Sequence, residues 1–332
     1  MNIESIIPAD FSGCVLVTKN EETLMEGSFG YSELANKIPN KINTRFATAS
    51  AGKVFVAVAI LQLIEADKLS FDSTVGQLLD FDLKGIDPRI TVEQLLTHTS
   101  GIPDYFDESV MEDYDELWRD YSNYKIRTSA DLIPLFIDKP MMYPRGERFQ
   151  YNNTGYVVLG LIIEAVTSLP FDEYLEREVF HPCGMNDTGY FELDRLPERC
   201  ANSYIYDKQR GDYYTNIYSV DVKGTGAGGA FTTVEDVNRF WTALTTNRLL
   251  SESMTKNMLS LHATGEDEYY GLGVWLGKIA VGRFIPYIEG CDPGVSFISS
   301  YDVKNKLCIT AVSNLGQNVW QLRRDIIRKL EL

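Results

Sequence analysis

The stretch that decides the fold is FATASAGKVFVAVAILQLIE, residues 46–65. From Val54 to Ile64 nearly every side chain is apolar, so a helix there is predicted to be buried on all sides. Just ahead of that run stand a hydroxyl, Ser50, and an ammonium, Lys53. Residues three apart on a helix share a face, with Cβ atoms about 5–6 Å apart, so Lys53 can reach the Ser50 oxygen. A first helical turn also offers free N–H groups and the positive end of the dipole. Apolar neighbours desolvate the amine and lower its pKa, which suits a base that activates the hydroxyl. The plainer reading is a serine cap and a lysine whose stem lies along apolar surface. S-x-x-K alone is too short to separate the two.

Outward from this stretch the chain changes character twice. Cys14 to Lys19 is β-rich, Asn20 to Glu22 is turn-like, and Leu24 to Gly30 reads as a return strand. The middle is helical in pattern. Thr91 to Leu96 is a short helix stopped by THTSGIPDY, and residues 104–140 are acidic, Tyr-rich and helix-leaning. Tyr156 to Val166 is a strong helix after the loop PRGERFQYNNTG, and Thr232 with Glu235 forms a capping-box pattern that opens another. The last third reads as short strands at Gly271–Lys278, Phe284–Gly290, Ser296–Asp302 and Leu307–Asn314. An amphipathic helix from Val319 to Leu330 closes it, with Ile326, Ile327 and Leu330 on one face. Strands at both ends and helices between predict an α/β (α+β) fold: one antiparallel sheet flanked by helices, with an inserted, mostly helical lobe. The expected division is 1–45 plus 268–332 for the sheet lobe and 46–267 for the helical lobe. The two form a single structural unit with a cleft at the lobe interface.

A second candidate group is Tyr151-Asn152-Asn153. In extended chain, residues i and i+2 point the same way, so Tyr151 and Asn153 could face one cleft. A phenol near an ammonium has its pKa lowered and can move a proton, and an amide can hold both the lysine and a substrate carbonyl. Other chemistries find less support. There is no G-x-S-x-G, and His98, His181 and His262 all read as structural. No histidine pair has zinc-ligand spacing, so no metal is expected. GTGAGG, 224–229, matches a dinucleotide fingerprint, but no strand with an acidic end follows it, so it reads as a tight loop and no cofactor is expected. Lys223-Gly224-Thr225-Gly226 within it is a chance K-T-G.

The chain has 332 residues, 44% of them apolar, enough for a full core. Its net charge of −16 makes nucleic acid and membrane surfaces poor partners. The N-terminal MNIESIIPADFSGCVLV has no basic segment before a long apolar one, and the five cysteines are scattered. Together these predict a cytoplasmic protein; oligomeric state is not encoded in any pattern seen.

Taken together, the motifs resemble the serine β-lactamase-like family: class C β-lactamases, D-alanyl-D-alanine carboxypeptidases and related penicillin-binding-protein-like esterases. The resemblance runs through FATASAGKVFVAVAILQLIEADKLSFDSTV, LLTHTSGIPDY, PRGERFQYNNTGYVVLGLIIEAVTSLPFDEYL, HPCGMNDTGY, GAGGAFTTVEDVNRFWTAL, YGLGVWLG and DPGVSFISS. It implies the two-lobed fold, Ser50 as nucleophile, Lys53 as its base, Tyr151 as a second proton carrier and Asn153 as its companion. It also implies two-step acyl transfer on a small ester or amide. Relatives carry K-T-G or H-x-G shortly before a P-G turn. Counting back from Pro293-Gly294 puts Ile288-Glu289-Gly290 there, so the cation is missing. Cys291 would then supply a backbone N–H, with that of Ser50, to an oxyanion hole. In relatives that cation serves substrate carboxylates, so its loss argues against a strong β-lactamase or carboxypeptidase. A ligand-binding homologue without activity is a further alternative. Glu289 pointing plainly to solvent is the bland reading of its position.

Overall fold

The computed structural model describes residues 6–330. Eight strands form one antiparallel sheet: β1 (Gly13–Lys19), β2 (Glu22–Phe29), β3 (Ala263–Thr264), β4 (Tyr269–Tyr270), β5 (Trp275–Ala280), β6 (Arg283–Asp292), β7 (Val295–Asp302) and β8 (Leu307–Ser313). Their spatial order is β2-β1-β8-β7-β6-β5-β4-β3. The N-terminal hairpin is therefore stitched to the C-terminal strands through β1 and β8, with Gly13 opposite Ser313 and Lys19 opposite Leu307. The hairpin turns at Asn20 and Glu21, both at positive φ, which matches the twist of the flanking strands.

The central strands are covered on both faces, and alternation sorts their side chains. Val15 and Val17 of β1 meet Ile298, Ile309 and Ala311 under the C-terminal helix, while Cys14 and Leu16 enter the main core. That helix, Val319–Lys329, buries Val319, Leu322 and Ile326. Ile326 falls where the sequence places it; Ile327 and Leu330 sit at the edge of the contact, the first because consecutive residues cannot share a helical face and the second because it lies past the last helical turn.

On the other face lies α1 (Lys53–Glu65), the apolar stretch that opened the reading. Every residue from Lys53 to Leu61 is buried. Phe55 meets Phe180 and Phe240 edge-to-face at 5.1 Å each. α3 (Asn153–Thr167) packs beside it, α2 (Val92–Leu96) packs on α3, and α4 (Val234–Thr245) fills the space against β8.

Three local expectations are corrected. Residues 104–140 hold no α-helix; the chain makes 3-10 turns at Tyr114–Trp118, Asn123–Lys125 and Ser129–Leu135. Its asparagines, aspartates and serines compete for backbone donors, and Pro134 interrupts what is left. The cap of α4 is Thr233, whose side chain accepts from the Asp236 N–H, while Thr232 is drawn into a short strand opposite Phe46. The strand expected at 271–278 begins at Trp275, because Gly273, at φ +79°, turns the chain where a Cβ would strike Ala57.

Candidate active site

Four segments far apart in sequence meet at the start of α1. Ser50 sits one 3-10 turn ahead of the helix, in Ala49–Gly52, rather than in its first α-turn; Lys53 opens α1. The short pairing of Phe46–Ala47 with Phe231–Thr232 delivers the chain to this point. Ala49 holds φ +46°, a left-handed conformation costing about 1 kcal/mol or more for a residue with a side chain.

The Lys53 amine donates to Ser50 Oγ at 2.8 Å, to Asn153 Oδ1 at 2.8 Å and to the Ala227 carbonyl. It lies 5.0 Å from the centre of the Tyr151 ring. Burial pushes its pKa down to about 8, against the pull of Glu108, Asp104 and other carboxylates. Near neutrality a useful fraction is therefore neutral amine, able to accept the Ser50 proton.

Asn153 and Tyr151 arrive from the N-terminus of α3. Asn152 is the cap, its side chain accepting from the Gly155 N–H at 2.7 Å. Asp104 reinforces it, taking the Asn153 and Thr154 N–H groups and the Thr154 hydroxyl at 2.8–3.0 Å. This double capping fixes Asn153, which also donates to the Phe106 carbonyl and to Glu108, each at 3.2 Å. His98 Nδ1 accepts from the Asn152 N–H at 3.1 Å, and its ring packs 4.6 Å from that of Tyr151. Burial holds His98 well below the usual histidine range, so it is a neutral brace for this loop.

Tyr151 lines the smaller cavity together with Ser50. The expected lowering of its pKa is reversed: burial first, then Glu108, push the phenol well above its ordinary value. Tyr151 is thus a proton donor at rest, and the basic member of the set is Lys53.

The third wall is β6. Gly290 stands so close to the backbone around Ser50 that a Cβ there would lie 2.2 Å from the Thr48 oxygen and 2.7 Å from the Ser50 nitrogen. β6 and β7 are joined by the two-residue turn Pro293-Gly294, with Asp292 opposite Val295 and Cys291 opposite Ser296. In such a hairpin the closing pair is hydrogen-bonded and pairs alternate from there, so the Cys291 N–H points away from β7, toward Ser50. Both amides can then serve one oxyanion. Gly290→Ala is expected to lower stability by about 1–3 kcal/mol and to depress turnover by displacing Ser50; denaturant unfolding and an ester assay measure the two. An alanine variant with parental stability and rate would show that the contact is slack.

Glu289 does not simply point to solvent. It lines a small cavity of about 300 Å³ with Ser50, Tyr151, Trp275 and Cys291, and accepts from Trp320 Nε1. Burial raises its pKa, offset in part by Trp320 and Arg323. The position that holds a cation in the resemblance is thus the buried Ile288, and the next residue, Glu289, puts an acid facing the cleft.

Some of this was missed by sequence reasoning. GTGAGG is a tight loop as read, but it packs on the nucleophile: a Cβ at Gly228 would lie 2.3 Å from the Ala49 oxygen. Its Ala227 carbonyl holds Lys53. The density of glycines is the signal for close backbone approach. Asp104 and Glu108 lie in a stretch with no periodicity to single them out. Among the described residues no cluster suited to a metal ion occurs, and no single helix is long and apolar enough to cross a membrane.

Comparison with known proteins agrees with this fold. A crystal structure of a penicillin-binding protein from Bacillus halodurans superposes with a TM-score of 0.93 at 40% identity, covering 98% of this chain and 99% of that one. A penicillin-binding protein of Bacillus subtilis (strain 168) is 29% identical over 92% of this chain and 68% of its own length. A D-amino acid amidase from Ochrobactrum anthropi SV3 shares the fold, with a TM-score of 0.82 at 21% identity over 99% and 98% of the two chains. The family model described as Beta-lactamase matches residues 10–332. The chain belongs to the beta-lactamase family, whose serine-hydrolase type its fold shares.

Proposed function

We propose that the protein cleaves an ester or amide of a small molecule through an acyl-enzyme on Ser50. The observation that carries this reading is the buried Lys53 amine, lowered to about 8 and held 2.8 Å from the Ser50 oxygen. Neutral Lys53 takes the Ser50 proton as Oγ bonds to the substrate carbonyl carbon. The carbonyl electron pair moves to oxygen, facing the Ser50 and Cys291 amides. As the intermediate collapses, the bond to the leaving group breaks and Tyr151 gives that group its proton, regaining one from the Lys53 ammonium. Water then attacks the acyl carbon, its proton passing to the Lys53–Tyr151 pair. The acyl–oxygen bond breaks, Ser50 is reprotonated and the acid departs.

A penicillin-binding or D-alanyl-D-alanine carboxypeptidase activity, or weak β-lactamase action, is the second reading, favoured by the named relatives at 29% and 40% identity. Ile288 and Glu289 weigh against it, because the place of the cation holds a buried apolar side chain and a carboxylated substrate would meet the acid beside it. An inactive ligand-binding homologue is weighed down by the convergence of Ser50, Lys53, Tyr151 and Asn153. Given the net charge of −16, the partner we propose is a small acyl compound in the cytoplasm rather than nucleic acid or lipid.

The deciding experiment is a panel of neutral p-nitrophenyl esters, anilides and a fluorescent penicillin, run on the parent and on Ser50→Ala. Ser50-dependent release from esters or anilides, with slow or absent penicillin acylation, is the expected pattern. Rapid penicillin labelling would favour the second reading, and ligand binding without any labelling the third. The pH profile is a further expected outcome. For a neutral ester, kcat/KM rises with pH and levels above about 8, as Lys53 loses its proton. A profile flat from pH 6 to 10 would remove Lys53 as the base.

A further inference from the structure

Two cavities open on Ser50, and their walls carry one sign of charge. The larger, about 750 Å³, is lined by six carboxylates: Glu108, Glu112, Asp113, Asp115, Asp221 and Asp292. The smaller adds Glu268 and Glu289. Among the described residues lining either cavity there is no lysine, arginine or histidine. Lys53 offsets this only in part: its amine is turned inward onto Ser50, Asn153 and Ala227, and from there its charge lowers Asp221 and Asp292 less than burial raises them.

Asp221 and Asp292 differ from the acids at the rim. Asp221 accepts one side-chain hydrogen bond, from the Tyr114 hydroxyl at 2.9 Å. Asp292, the last residue of β6, lines the same cavity and is partly exposed in it; among the described residues no side-chain hydrogen bond reaches its carboxylate, and Asp221, Lys53 and Glu108 act on it through charge. Burial pushes Asp221 up to about 7, and burial with the repulsion of Asp221 pushes Asp292 up to about 8. Near neutral pH such a pair retains a proton, and an arriving cation can take its place. Carboxylates that share one cavity repel each other, so a cation here is stabilised by attraction and by relief of that repulsion. Phe191, Leu193, Ile205 and Val295 line the same cavity and give a short apolar stem a surface to lie on.

We propose that Asp221 and Asp292 are specificity residues that hold a primary ammonium or guanidinium group of the substrate in the larger cavity, while Ser50 attacks the substrate's carbonyl. This rests on the hydrolase reading above and names its substrate class: cationic acyl compounds with a short apolar spacer. Substrates presenting a carboxylate to the cleft are disfavoured by the same charges.

The test compares two aryl esters of equal shape. One is p-nitrophenyl trans-4-(aminomethyl)cyclohexanecarboxylate, cationic at neutral pH; the other is the neutral trans-4-ethyl ester. After subtraction of spontaneous hydrolysis, kcat/KM is expected to favour the cationic ester by about tenfold or more. In the Asp221→Asn, Asp292→Asn double variant that ratio is expected to fall to within about threefold of unity. A parent that treats the two esters alike overturns the proposal, as does a double variant that keeps the preference. Calorimetry on the parent alone needs neither turnover nor a variant. trans-4-(Aminomethyl)cyclohexanecarboxamide should bind about tenfold more tightly than its ethyl counterpart, and equal or absent binding overturns the proposal. Ester turnover that survives Ser50→Ala would defeat the hydrolase reading itself; Ser50-dependent turnover without charge preference would defeat this inference alone.

Discussion

With Ser50 replaced by alanine, hydrolysis of a neutral aryl ester falls by on the order of 10⁴-fold or more, while the protein unfolds at the parental temperature. In the proposed mechanism the loss is large because the alcohol is the group that bonds to the acyl carbon. Cys291 is adjacent, but burial and the nearby carboxylates Asp292, Glu108 and Glu289 push its thiol up to about 11, so little thiolate is present to substitute. Stability changes little, because Ser50 is only half-buried and its hydroxyl serves Lys53 rather than the core. Steady-state rates and a thermal melt on the same preparation test both halves. A variant retaining more than about a tenth of the parental rate would mean that another group does the chemistry.

Replacing Lys53 by methionine is expected to separate catalysis from stability. Turnover falls by about 10²–10⁴-fold, the usual contribution of a positioned base. The folded state pays little for the change, because two effects oppose. The folded pKa of about 8 lies below the unfolded value, so the unfolded chain binds more protons between those two values. Holding the cation in the folded protein therefore costs about 3 kcal/mol below pH 8, a cost that fades as pH rises toward 10. Methionine removes that cost but leaves Asn153 Oδ1 and the Ala227 carbonyl without their donor, at about 1–3 kcal/mol each. The melting temperature is expected to move by only a few degrees at pH 7. Relative to the parent, the variant should be least favoured at pH 10. An active variant, or one that unfolds outright at neutral pH, would contradict this account of the amine.

Much of the frame is legible in the sequence because it rests on local signals. The unbroken apolar run from Val54 requires burial on every side, and α1 is buried on every side. Strand-like alternation at both ends leaves each set with unpaired edges, and joining β1 to β8 satisfies them. Ser50 and Lys53 are three residues apart, so their meeting follows from helical geometry whether the turn is 3-10 or α. Tyr151 and Asn153 reach the same point because Asn152 stays extended before the helix begins.

What escapes is held by contacts without a local signature. Asp104 caps α3 from about fifty residues upstream, in a loop whose sequence looks like any acidic surface. The 104–140 segment owes its shape to aromatic packing of Phe106, Tyr114 and Trp118 rather than to periodicity, so propensity misread it as helical. The Tyr151 pKa was read with the wrong sign because the ammonium was weighed and the desolvation was not; burial dominates. Asp221 lies just ahead of the Gly-rich segment and Asp292 ends β6, so they share a cavity only once those two segments are folded around it.

The central claim is that one activated alcohol, at position 50, carries the acyl group. Its most direct test is peptide mapping by mass spectrometry after brief exposure of the native protein to a fluorophosphonate. A single adduct on the peptide containing Ser50, formed faster as pH rises through about 8 and absent after prior denaturation, is the predicted result. Labelling at another residue, or none at all under conditions where the protein turns over an ester, would contradict it.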